Sequence, residues 1–188
     1  MKTIGSTIIM LALASSLFAD NGKELKLASP DGTHEIAFYQ KQVSPAVNEL
    51  CYRVDYKSQP VVNESHAGLE LDNRIWEMAL GVRNLKQPAC WMDNLEVDSV
   101  TYQPETNLTW QPLYGERSSV RDHYRAGTLC LSKKDNSGYR LNIEVRAYNE
   151  GVAFRYFFPE HPKAIFHKVV GDLTEYALPA GTKAWTEQ

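Results

Sequence analysis

The stretch from Thr128 to Phe158 limits the possible folds of this chain more than any other. Leu141, Ile143, Val145 and Ala147 alternate with Arg140, Asn142, Glu144 and Arg146. An alternation of period two is that of a β-strand with one face on a core and one in water. Asn149-Glu150-Gly151 then forms a tight, glycine-containing hairpin loop. Val152, Phe154, Tyr156 and Phe158 alternate on the return strand, and Pro159 ends it because proline cannot donate to a ladder. Upstream, the expected strand runs from His123 to Lys133, where Leu129 and Leu131 alternate with Thr128, Cys130 and Ser132, and the polar run Lys134 to Gly138 turns the chain. Two back-to-back hairpins of this kind require an antiparallel sheet.

The rest of the chain repeats the pattern less cleanly. Leu25 to Ala28 and His34 to Gln40 read as strands joined by the turn Ser29-Pro30-Asp31-Gly32. Leu50, Tyr52, Val54 and Tyr56 share one face of the next strand. A turn at Lys57-Ser58-Gln59-Pro60, a restart at Val61-Val62 and a short strand from Ala67 to Leu71, with Leu69 and Leu71 pointing inward, follow. Asn73 to Arg83 fits a turn of helix or a strand equally well. Residues 84–112 read as irregular, punctuated by Pro88, Pro104 and Pro112, with strand candidates at Leu95 to Val97 and Ser99 to Tyr102. A last strand pair is expected in Val169 to Leu178. The reading is all-β, an antiparallel β-sandwich.

Residues 1–19 have the form of a signal peptide: a basic start at Lys2, an apolar run from Ile4 to Leu13, and Leu17-Phe18-Ala19 as a cleavage site. The run is well below the ~20 residues of a spanning helix, and no lipobox cysteine follows it. Export to the periplasm is expected, with the extracellular space second, and residues 20–188 form a single domain. A net charge of −3 with scattered basic residues argues against nucleic acid as a partner and against a membrane-surface patch. Cys51, Cys90 and Cys130 are odd in number and fit no metal spacing, so they read as free thiols. The five histidines form no i,i+4 pair of the zinc-binding kind.

The densest cluster of charge and aromatic rings is Trp110 to Tyr124. Glu116 and Asp122 invite reading as the paired carboxylates of a glycosidase. Arg117 and Arg121 stand beside them, and arginine holds a carboxylate ionised, which is wrong for a general acid. The alternating signs predict ion pairs among Glu116, Arg117, Arg121 and Asp122 at a corner or an interdomain surface. Trp76, Trp91, Trp110 and Trp185 suit either sugar stacking or core packing.

Three motifs then carry a resemblance: Trp110-Gln111-Pro112-Leu113-Tyr114-Gly115-Glu116-Arg117, Val120-Arg121-Asp122-His123-Tyr124, and the run Leu141 to Tyr156. Together they resemble the N-terminal domain of glycoside hydrolase family 97. Ser29 to Gly32 and Ala184-Trp185 match in order, so the resemblance covers essentially all of residues 20–188. It implies a β-supersandwich of the galactose-mutarotase-like type, followed in the full-length enzyme by a catalytic (β/α)8 barrel and a C-terminal β domain. It also implies an exported bacterial α-glucosidase or α-galactosidase with calcium in its active site and its catalytic carboxylates on the barrel. On that basis no catalytic residue is expected in this chain, and no calcium is expected to bind it alone. Glu187 is the only carboxylate near the place where the resemblance puts a calcium ligand, and the metal ligand is left unassigned. The expected partners are the barrel and an α-linked oligosaccharide. Trp110, Tyr114, Glu116, Arg117, Arg121, Asp122 and His123 are the candidates for carbohydrate or interdomain contact. The alternative is a stand-alone carbohydrate-binding module.

Overall fold

The computed structural model describes residues 23–72, 89–134, 138–162 and 167–183. The leader, Asn73 to Arg83, Trp76, Trp185 and Glu187 lie outside the described residues. The described residues form ten strands, and none of them is helical. The first sheet has the order β1 (Leu25–Ala28), β2 (His34–Ser44), β3 (Val47–Tyr56), β4 (Gln59–His66). The second has the order β6 (Leu95–Trp110), β7 (Val120–Lys133), β8 (Arg140–Tyr148), β9 (Gly151–Phe157). A small pair joins β5 (Leu69–Leu71) to β10 (Val169–Asp172). All pairings are antiparallel, as the alternation predicts.

The two four-stranded sheets enclose one core. Ile36, Phe38, Leu50, Tyr52 and Val54 face it from the first sheet; Leu129, Leu131, Leu141, Ile143, Val145 and Ala147 face it from the second. Phe154 crosses the gap, with its ring 5.1 Å from Phe38 and 5.3 Å from Tyr52. Burying each such side chain stabilises the fold by about 1.5–3 kcal/mol, which is why the period-two residues dictate the pairing. Gly68 sits where a side chain cannot: a Cβ there would lie 2.7 Å from Met92 Cβ and 2.9 Å from the Trp91 carbonyl oxygen. Trp91 is fully buried against Phe158. Lys133, also buried, donates to the Asp93 carbonyl at 2.6 Å, with its ammonium 5.5 Å from the Trp91 ring centre. The three cysteines are free thiols. Burial pushes the Cys51 thiol up to about 11, so it is an inert hydrophobe rather than a nucleophile.

Several strands run further than expected. The segment read as irregular is largely β6, a single strand of 16 residues. Pro104 falls within the register break between Gln103 and Thr106, at the edge of the sheet, where a missing N–H costs no ladder bond. β7 starts at Val120 rather than His123, and β2 and β3 extend to Ser44 and back to Val47. These extensions lie beyond the core, so no apolar alternation marks them. In the last expected strand pair only Val169–Asp172 forms a strand. The chain then runs extended along β4: Leu173 N–H donates to the Gly68 carbonyl, Glu175 N–H to the His66 carbonyl, and the Ala177 carbonyl accepts from Asn63 N–H.

Candidate functional site

β6 and β7 outgrow the sheet that contains them. β8 accompanies β7 only as far as Tyr124↔Tyr148, whereas β6 and β7 stay paired out to Trp110↔Val120. The result is a two-stranded arm that leaves the sandwich and ends in the loop 111–119. Its pleat sorts the side chains. Gly127, Leu129 and Leu131 face the core, so Arg121, His123 and Arg125 continue that inner face, while Val120, Asp122 and Tyr124 lie on the outer face.

On the inner face Glu105, next to the proline in the register break, reaches two β7 residues. Its Oε1 lies 2.7 Å from His123 Nε2, and its Oε2 accepts from Arg125 Nε at 3.0 Å. These contacts, His123 first and Arg125 second, hold the Glu105 carboxyl below the usual carboxylate range. Arg125 also donates to the Pro30 carbonyl at 3.4 Å, which ties the arm to the turn between β1 and β2. His123 Nδ1 is buried with no hydrogen-bond partner among the described residues. Further out, Arg121 Nε donates to Asn107 Oδ1 at 2.9 Å.

On the outer face Leu108 and Trp110 are 64% and 52% exposed, opposite Asp122 and Val120. At the tip Leu113 is 100% exposed and Tyr114 90%. Nearer the sandwich the Arg146 guanidinium lies 4.4 Å from the Tyr124 ring centre, and Tyr148 packs on Tyr124. Exposed aliphatic and aromatic side chains on a narrow arm present an apolar contact surface with a polar base.

The seven residues singled out in the sequence are therefore divided among three places. Trp110 and Asp122 lie on the outer face, Arg121 and His123 on the inner face, and Tyr114, Glu116 and Arg117 in the exposed tip loop. Glu116, Arg117, Arg121 and Asp122 make no ion pair with one another, so the expected four-residue network does not form. Arg121 and Asp122 are adjacent on a strand and point to opposite faces, and Arg121 uses Asn107 instead. Glu105 was not singled out, and no local signal marks it: its partners are 18 and 20 residues away. Among the described residues no group of three or more His, Cys, Asp or Glu side chains could hold a metal ion, so they do not fit a calcium site.

Comparison with known proteins decides what this sandwich is. Residues 27–188 match the model of the glycosyl-hydrolase 97 N-terminal family. The chain belongs to this family. A retaining α-galactosidase of Bacteroides thetaiotaomicron is 26% identical over 178 residues, which is 95% of this chain and 22% of that protein. A glycoside hydrolase family 97 enzyme from a Pseudoalteromonas strain, solved with panose, superposes with a TM-score of 0.66 at 26% identity. The match covers 83% of this chain and 20% of that enzyme. A β-arabinopyranosidase shares the fold, with a TM-score of 0.66 at 18% identity. The chain thus spans about one fifth of the length of these relatives.

Proposed function

We propose that this chain is the noncatalytic N-terminal β-sandwich of an exported, calcium-dependent α-glycoside hydrolase, an α-galactosidase or α-glucosidase. In this reading the β6–β7 arm packs on a catalytic (β/α)8 barrel of the same enzyme and helps shape its pocket. The observation that carries the proposal is the arm itself, where a domain of a glycosidase family projects Leu108, Trp110, Leu113 and Tyr114 away from its own core. Leucine and aromatic side chains left this exposed gain about 1.5–3 kcal/mol each on burial, and a neighbouring domain of the same polypeptide is the nearest source of it. The inner-face contacts of Glu105 fix the base of the arm, so that the tip meets its partner in one orientation.

The substrate would be an α-linked oligosaccharide, with the reacting carboxylates and the calcium ligands supplied outside the described residues. Calcium there would polarise or position the substrate, and no role in that step falls to the residues described. Export is proposed from the leader-like residues 1–19, which would put the enzyme in the periplasm, with the extracellular space second. No described helix is long and apolar enough to cross a membrane.

The second reading is a stand-alone carbohydrate-binding module, favoured by the exposed rings of Trp110 and Tyr114, which suit stacking on a pyranose. Calorimetric titration of this chain with maltooligosaccharides and α-galactosides separates the two. The first reading expects no heat of binding, whereas tight binding that is lost in Trp110→Ala would establish the second.

A further inference from the structure

Among the described residues one flank of the sandwich is closed and the other is open. On the closed flank Leu25 of β1 is fully buried and Lys26 N–H donates to the Tyr102 hydroxyl at 3.3 Å, joining the two sheets. On the open flank β9 is the edge of the second sheet, and no described strand pairs with its outer side. Between β9 and the extended segment beside β4 lies a groove of about 1000 Å3. Tyr52, Val62, Val152, Phe154, Tyr156 and Tyr176 line it. Val62, Val152, Phe154 and Tyr156 pack against the core cluster yet are only partly buried. The Tyr156 hydroxyl lies 2.6 Å from Thr174 Oγ1, and the Tyr52 hydroxyl donates to the Glu175 carbonyl at 2.6 Å, so hydrogen bonds link β9 and β3 to the extended segment beside the groove.

We infer that the groove receives a β-strand of the same polypeptide, contributed from outside these 188 residues, that pairs with the free edge of β9 and places alternate apolar side chains between the two sheets. The inference rests on the proposed reading of the chain as one domain of a longer enzyme. Two features of β9 support it. The strand carries none of the devices that protect an exposed edge: it has no proline, its register with β8 is unbroken, and its one charged side chain, Arg155, is paired with Glu144 on the outer face. Its inward side chains also leave a hollow that backbone pairing alone cannot fill. A second copy joined edge to edge through β9 would bring only residues already committed to its own groove, so both hollows would stay open. A free sugar would meet walls that include the core residues Ile36 and Val54. The matched relatives supply the length: four fifths of each lies outside the match.

Amide hydrogen exchange on the complete enzyme tests this. Residues 151–157 are expected to exchange as slowly as β8 to within about tenfold, the behaviour of an interior strand. Exchange about 100-fold or more faster than β8 would mark an open edge and overturn the inference. Protection that appears only as concentration rises, with dimers in sedimentation, would assign the edge to a second copy and overturn it equally. Hydrolysis of α-galactosides and α-glucosides by the same preparation keeps the two claims apart. An active enzyme with an unprotected β9 removes the strand alone, and an inactive one with a protected β9 removes the functional reading alone.

Discussion

Glu105 Oε1 lies 2.7 Å from His123 Nε2, and this contact, shared with Arg125, anchors the arm of the domain. The Glu105 carboxyl is held below its ordinary range, so its contribution to stability is present above the unfolded carboxylate pKa of ~4.3 and is lost as pH falls through the lowered value. Glu105→Gln is therefore expected to lower the melting temperature at pH 7, with the difference shrinking as pH falls below 4 and disappearing in stronger acid. Thermal unfolding of both proteins across that range checks it. A difference independent of pH would show that the carboxylate charge is not what matters.

Gly68 is a test of packing. Its hypothetical Cβ meets backbone atoms and the Met92 Cβ, none of which is the far end of a flexible side chain. Gly68→Ala should cost about 1–3 kcal/mol in urea unfolding, the range for an overfilled core. A neutral substitution would mean that the 89–92 segment can move away freely.

The β3–β4 hairpin turns on Lys57 and Ser58, both left-handed, with φ of 49° and 62°. Two such residues define a turn type that prefers Asn-Gly. The double change Lys57→Asn, Ser58→Gly should raise stability by about 1 kcal/mol, the scale of the left-handed penalty. Chemical denaturation measures this, and a loss of stability would imply that the Lys57 ammonium over the Tyr56 ring matters more than the turn.

Leu131 is completely buried between the sheets. Leu131→Ala should destabilise the domain by about 2–5 kcal/mol. An effect below 1 kcal/mol would place it outside the cooperative core.

The residues readable in sequence are those facing the core. Leu141, Ile143, Val145 and Ala147 alternate because each must be buried, and all four are. The same reasoning recovered Leu69, Leu71 and the turn at Gly32, whose φ is 73°. It failed where no core lies beneath the strand. Asn107, Thr109 and Arg121 belong to paired strands but face no interior, so nothing in their polarity reveals the pairing. Pro104 was read as a break because the sequence cannot show that β6 is an edge. The four charges from Glu116 to Asp122 look like a network in one dimension, and the pleat separates them. The groove beside β9 was equally hidden, since Tyr52 and Tyr176 meet only through the chain's return along β4.

In the proposed function the tip of the β6–β7 arm is buried on the catalytic domain of a family 97 enzyme. The most direct measurement is the rate of α-galactoside and α-glucoside hydrolysis by the complete enzyme carrying Leu113→Asp and Tyr114→Asp. Both side chains are exposed in this domain, so its own stability should not change. The predicted result is a fall in kcat/KM of about tenfold or more, equal to ~1.4 kcal/mol of lost transition-state stabilisation, with the melting of the sandwich unaltered. Full activity with both charges in place would show that the arm tip is not buried on the catalytic domain.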